Sequence, residues 1–269
     1  MRTLLRNTAL LLFASLTFCQ CNKTPGIAGH ESATVEDSAV TTKKFQYTFK
    51  DNKADLSFEV EAPVNGSEQL RYSVGQWISS VFGDKYMGDV LDTQAMLDYY
   101  GEQNKKEYAS ELALDDEGFQ PSEHSVKIKP CYQSSKLITF SSTDQFYLSG
   151  AAHGMSLDVA RTFVKDNGNR LGWNIFKDKS GLQEFLKKGL KKHFDVTTDD
   201  ELAGELIMVD NINNIPLPEN EPWITSDGIV FSYAPYEISY FAAGQPTVVV
   251  PYIEMKSLLT DDFLRLISD

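Results

Sequence analysis

The chain reads as an α+β protein: two modules of antiparallel sheet packed with helices. Three observations predict it. Apolar and polar residues alternate in several stretches, which is the spacing of half-buried strands. Apolar residues at helical spacing interrupt those stretches near 70–81, 90–114 and 180–194. Turn chemistry such as "DNGNR" joins strand to strand over short distances, because Asn and Gly tolerate positive φ. Helices interrupting antiparallel strands define this class.

The elements follow in order. Phe45, Tyr47 and Phe49 alternate with polar residues, "DNKA" turns the chain, and Leu56, Phe58, Val60 and Ala62 share one face of a second strand, so the two make a hairpin. Leu70, Val74, Trp77, Ile78 and Val81 predict a helix that Gly83 ends. Residues 90–114 predict a second, with Leu97, Tyr100, Tyr108 and Leu112 as a narrow apolar stripe suited to packing on one side. "HSVKIKPCYQ", "KLITFSSTDQFYLSG" and "SLDVARTFVKD" read as an antiparallel meander. "KSGLQEFLKKGLKKHF" is a helix, with Ser180 and Gln183 at capping-box spacing and Leu182, Phe185, Leu186, Leu190 and Phe194 as its buried face. A short helix is expected near "DDELAGEL", strands at "IVFSY" and "TVVVPY" around an "SDG" turn, and a short apolar helix at the end. Pro251 places the last strand at its end or at a sheet edge.

The first 21 residues carry Arg2, Arg6 and the apolar run "TALLLFASLTF", too short to span a bilayer and read as a secretory signal. It closes on "LTFCQCNK". Cysteine there points to lipid attachment, at Cys21 in preference to Cys19, with an ordinary cleaved signal as the alternative. Residues 22–42 are polar, small and nearly free of aromatics, so they form a tether rather than a fold. Residues 43–154 and 155–269 are the two expected modules, the first ending in "SGAAHG". The expected address is a bacterial cell envelope, periplasmic or on the outer-membrane face, held by a lipid anchor.

The net charge of −13 becomes −15 without residues 1–21. Such a chain repels phosphate backbones, which argues against nucleic acid as a partner and suits a basic protein or a cationic ligand, the alternative being that the acidity only keeps the protein soluble. The body has a single cysteine, Cys131, so it has no disulfide framework, and Cys131 reads as a small packing residue. The histidines are His30, His124, His153 and His193. None are paired at i+2 to i+4, so no metal site and no cofactor is read. There is no G-x-S-x-G elbow. Ser149, His153 and Asp158 are near in sequence, but residues 149 and 153 on one strand stand over ~10 Å apart, so no catalytic residue is assigned.

Two stretches remain as candidates. In "SGAAHG" the small residues permit a tight bend, where His153 either hydrogen-bonds the backbone of neighbouring segments or lines a ligand groove. In "FSYAPYEISYFAAGQP", Phe231, Tyr233, Tyr236, Tyr240 and Phe241 either pack the core or form a recognition surface. Glu237 is the acid among them expected to be partly buried. The candidate ligand-binding residues are His153, Tyr233, Tyr236, Glu237 and Tyr240.

These motifs together resemble a known pair of extracytoplasmic domains of unknown function. The first ends in a "GGAH" motif, here "SGAAHG" with Ser149 in place of a glycine. The second has a turn like "NGNRL", an aromatic segment like "GWNIF", and a closing pattern that is nearly complete from Tyr233 to Tyr252. The resemblance spans about residues 43–260. The pair occurs in the extracellular part of lysozyme-sensing anti-sigma factors of the sigma-V type and ahead of the catalytic domain of a peptidoglycan deacetylase. It also stands alone in bacterial lipoproteins. No sigma-binding segment, spanning helix or deacetylase domain is read in this sequence. The resemblance therefore implies a non-catalytic envelope module that binds a protein such as lysozyme, or peptidoglycan. The alternatives are a peptidoglycan-modifying enzyme using His153 and nearby acids, or a purely structural envelope protein.

Overall fold

The computed structural model describes residues 39–111 and 120–268. The segment read as a signal, Cys19, Cys21 and most of the expected tether lie outside them, as does Leu112.

Strand β1 (Thr42–Lys50) and β2 (Ala54–Pro63) form the expected hairpin, paired from Thr42 with Pro63 to Lys50 with Asp55. Leu56, Phe58, Val60 and Ala62 are buried on one face. Helix α1 (Glu68–Val81) begins at Ser67, whose hydroxyl accepts from Leu70 N (3.2 Å) and donates to Lys165 O (2.8 Å). Gly83 follows its end at φ +97. Helix α2 spans Thr93–Glu111, within the predicted range.

The meander is β3 (Ser122–Gln133), β4 (Leu137–Tyr147) and β5 (Met155–Val164), and β6 (Arg170–Leu171) follows the "DNGNR" turn. The six strands lie in chain order in one sheet. One joint departs from the antiparallel expectation: β2 and β3 are parallel, from Ala54 with Ser122 to Val60 with Ile128. Parallel neighbours need a crossover connection, and α1 and α2 lie in that connection. Pro130 is accommodated by a change of register between Pro130 and Tyr132, where an unpaired residue spares the missing N–H. Cys131 sits at this bulge, exposed rather than packed, with its thiol toward Thr139 O (3.6 Å).

Helix α3 (Leu182–His193) buries Leu182, Leu186 and Leu190, while Phe185 and Phe194 are partly buried. The capping box expected at Ser180 and Gln183 is absent. The Ser180 hydroxyl bonds Asp178 Oδ1 (2.7 Å) and Gln183 Nε2 donates to Ile215 O (2.9 Å). A capping box does form on α4 (Asp199–Glu205), between Thr198 and Glu201. Strands β7 (Trp223–Thr225), β8 (Gly228–Ser232) and β9 (Thr247–Val250) make a three-stranded antiparallel sheet, with Ser226 and Asp227 as the first turn. Pro251 ends β9 and caps α5 (Tyr252–Met255), and α6 (Asp261–Ile267) closes the fold.

Alternation along β4 and β5 divides the apolar residues between two cores. Ile138, Phe140 and Phe163 join α1 and α2 on one face of the large sheet. Leu137 and Val164 join the small sheet and α3–α6 on the other. The large sheet is continuous across the 154/155 boundary, with β4 and β5 paired from Leu137–Val164 to Phe146–Met155. The described residues all fall within one compact unit.

A closed ring of buried hydrogen bonds joins the two sheets. Ile224 N donates to Thr162 Oγ1 (2.9 Å), Thr162 and Thr139 hydroxyls meet at 2.8 Å, and Thr139 Oγ1 donates to Ile224 O (2.8 Å). With Thr225 and Gly228 closing the hairpin, alternation turns the Ile224 amide and carbonyl away from β8. Two threonine hydroxyls of the large sheet stand in for the missing strand.

Candidate functional site

The motif after β8 is built on one turn. Ala234, Pro235, Tyr236 and Glu237 form it, closed by Glu237 N donating to Ala234 O (3.1 Å). Proline suits the first central position, and the second requires positive φ. Tyr236 occupies that second position at φ +68, where glycine is normally preferred. The cost is on the order of 1–3 kcal/mol of local strain. The tyrosine side chain is nonetheless left 48% exposed.

Tyr233 and Glu237 turn inward instead. Tyr233 is fully buried and donates to Pro216 O (2.9 Å), and burial pushes its phenol above the ordinary range. The half-buried Glu237 carboxylate accepts from Ala234 N (2.7 Å) and Glu219 N (2.8 Å). Its pKa is raised by burial, and the two amide bonds only partly offset that. Both residues pin the 216–219 segment to the turn, Tyr233 fully enclosed and Glu237 half-buried.

Downstream, Ser239 Oγ donates to Glu205 O (2.6 Å) and Tyr240 OH donates to Glu205 Oε2 (2.7 Å). Gln245 docks the segment on β5: its Oε1 accepts from Asp158 N (2.5 Å) and its Nε2 donates to Asp158 O (3.0 Å). A side-chain amide thus takes both backbone groups of a strand residue, as a ladder partner would.

This docking brings Phe241 under the β4–β5 turn. His153 stacks on Phe241 with centroids 3.9 Å apart and planes at 21°. Tyr236 stacks on the same ring at 5.5 Å and 29°. His153 is exposed, and its Nδ1 donates only to the adjacent Gly154 O (3.1 Å). The expectation that it ties neighbouring backbone segments together is therefore corrected. The turn is shaped without it, by Gly150 at φ +78, by Ala151 N donating to Leu148 O (2.9 Å) and by Ser149 N donating to Ser122 Oγ (2.9 Å). Of the candidate residues, the fold brings His153 and Tyr236 together through Phe241, sets exposed Tyr240 beside Phe241 in the chain, and separates Tyr233 and Glu237 from them.

His124 received no role from the sequence, yet it has the more enclosed setting. Its Nδ1 meets Asn104 Oδ1 (3.0 Å) and its Nε2 meets Asp144 Oδ1 (2.9 Å). Asn104 Nδ2 donates to Tyr100 O (2.9 Å), which fixes the amide orientation. Phe58 meets the ring edge-on at 5.2 Å. Both nitrogens are thus spent holding α2 to β3 and β4, and none is left for a substrate. Alternation with Val126 and Ile128 was the available signal that His124 faces inward. Among the described residues no group of three or more His, Cys, Asp or Glu is placed to hold a metal. No described helix is long and apolar enough to cross a membrane.

Comparison with known proteins places the turn and Phe241 inside a recognised domain. Residues 174–253 match the family of proteins of unknown function DUF3298. A crystal structure of a DUF3298 family member from Bacteroides fragilis superposes with TM-score 0.72 at 20% identity, covering 87% of this chain and 99% of that one. A DUF3298 family protein from Pseudomonas aeruginosa superposes with TM-score 0.62 at 13% identity, covering 84% and 97%. At these identities the likeness is one of fold. Among curated proteins none matches.

Proposed function

We propose that this chain, with its DUF3298 domain, is a non-catalytic cell-envelope lipoprotein whose folded unit binds an extracytoplasmic protein or glycan, a lysozyme-type muramidase being one candidate ligand. The observation that carries the reading is the surface stack in which exposed His153 and Tyr236 lie on half-buried Phe241, with Tyr236 held at positive φ. Exposed, pre-positioned aromatic rings supply contact area at low entropic cost, as at binding hot spots. Strain retained at a surface residue is a mark of a functional position.

Charge favours a basic protein partner. From Phe194 to Met255 the chain holds eleven Asp and Glu and no Lys, Arg or His. Several of these acids are already engaged, Asp199 with Lys187 and Lys191, and Glu221 with Arg161. Glu205 and Asp210 flank the exposed Ile207 and Met208, on a loop whose Met208 N bonds Ile238 O (3.3 Å) beside the aromatic turn. The envelope address rests on the apolar segment and cysteines at the start of the chain and on the polar tether after them.

Titration with lysozyme at physiological salt, monitored by calorimetry, tests the reading. Saturable binding that weakens as salt is raised is expected, because exposed charges are screened. No binding at tens of micromolar removes lysozyme as the ligand.

A further inference from the structure

We propose that the chain has a second ligand site, a carbohydrate-binding cleft between the β5–β6 turn and α6, away from the aromatic stack. A cavity of about 570 Å³ lies there, lined by Asn167, Asn169, Arg170, Thr260, Asp262 and Arg265 over an apolar floor that includes Leu171 and Phe263. This volume falls within the ~300–1,000 Å³ of small-molecule sites.

The turn that forms one wall is rigid. Gly168 has φ +68, and a Cβ there would lie 2.4 Å from Gln69 O, so the turn is seated directly on the start of α1. Asn167 Oδ1 accepts from Asn169 N (2.9 Å), and Ser67 Oγ donates to Lys165 O (2.8 Å). This fixes the turn from which the exposed Asn167 and Asn169 side chains line the cleft. The Asn169 side-chain amide makes no hydrogen bond to the described residues, and the Arg170 guanidinium makes only a long contact to Ser73 O (3.5 Å). On the facing wall, Thr260 Oγ1 accepts from Phe263 N (3.3 Å) and keeps its own proton to donate. Arg265 pairs with Asp262.

The chemistry of these groups selects the ligand class. Amide side chains both donate and accept, and they stand beside a guanidinium, a hydroxyl and a carboxylate. A ligand of many hydroxyls, each donor and acceptor, can satisfy this mixture. A phosphate or carboxylate would meet Asp262, which already claims one of the two arginines. A hydrocarbon would leave the amides dry, at a cost per unpaired group.

The test is saturation-transfer NMR on the full-length chain in detergent micelles, with chitobiose, cellobiose and maltose as probes at millimolar concentration. Transfer to at least one disaccharide is expected. Asn169→Leu should weaken it about fivefold or more, the equivalent of one lost hydrogen bond of ~1 kcal/mol. Tyr236→Ala should leave it unchanged, which separates this cleft from the aromatic stack. The Asn169 side chain makes no hydrogen bond to the described residues, and its backbone bonds to Asn167 and Val164 do not depend on it, so the variant keeps the fold, and an unchanged unfolding midpoint would verify that. Transfer to none of the three sugars, binding indifferent to Asn169→Leu, or displacement of the sugar by inorganic phosphate would overturn the proposal.

Discussion

Replacing Thr139 by valine should cost the protein about 2–6 kcal/mol of stability, although shape and volume are conserved. Thr139 and Thr162 are fully buried, and their hydroxyls form a closed ring with the amide and carbonyl of Ile224. Valine at 139 leaves the Ile224 carbonyl without a donor and the Thr162 hydroxyl proton without an acceptor. Each buried group so stranded costs ~1–3 kcal/mol, and the isosteric methyl group leaves no cavity to add to that. Thr162→Val strands the Ile224 amide, for about 1–3 kcal/mol. Both single variants break the same Thr139–Thr162 bond, so the double variant should lose about 1 kcal/mol less than the sum. Equilibrium urea unfolding, read from midpoint and slope, measures all three. A Thr139→Val variant within about 0.5 kcal/mol of the parent, the range of ordinary surface changes, would refute the reasoning. So would strict additivity of the pair.

Two other substitutions test local physics. Glu201 caps α4 by accepting from Thr198 N and Thr197 N, both at 2.9 Å, and these bonds hold its carboxyl at about 2 against an ordinary 4.5. A depressed folded pKa gives stability that is present above pH 4.5 and fades as pH falls through about 2, so the Glu201→Gln stability curve should be flatter over that window; parallel curves would contradict this. Gly189 lets α3 approach β9 so closely that a Cβ would lie 2.1 Å from Val248 Cγ1, whereas Gly204 on α4 has nothing within 4 Å. Thermal unfolding should show Gly189→Ala destabilised by overpacking of ~1–3 kcal/mol despite its helix propensity, and Gly204→Ala stabilised by roughly 0.5–1 kcal/mol. A gain in both would show that α3 yields freely.

Periodicity made most of the fold legible. The alternation at Leu56–Ala62 and the helical spacing at Leu70–Ile78 each mark faces that are buried. Strand direction was not legible, because alternation is the same in both directions. Only the length of the β2–β3 connection distinguishes a hairpin from a crossover. Local spacing also misplaced one cap. Ser180 and Gln183 have the same separation as Thr198 and Glu201, but an aspartate two residues before Ser180 takes its hydroxyl. Glu237 was expected to be partly buried and is. What it does there depends on Glu219, whose amide no local pattern assigns to it. The aromatic stack was half visible. Pro235 announces a turn, but a tyrosine where positive φ is needed hides the turn type. The pairing of His153 with Phe241 is set by the Gln245 clamp on Asp158, a contact across 87 residues that composition and spacing do not encode.

The measurement that bears most directly on the account is lysozyme and peptidoglycan binding by the parent chain and by Phe241→Ala, side by side. Phe241 holds both other rings of the stack, while the motif's buried anchors are Tyr233 and Glu237, so the variant should keep its unfolding midpoint. The account predicts saturable binding of lysozyme or peptidoglycan by the parent and its loss in the variant. Binding that survives the loss of Phe241, or a parent chain that binds neither, would contradict it.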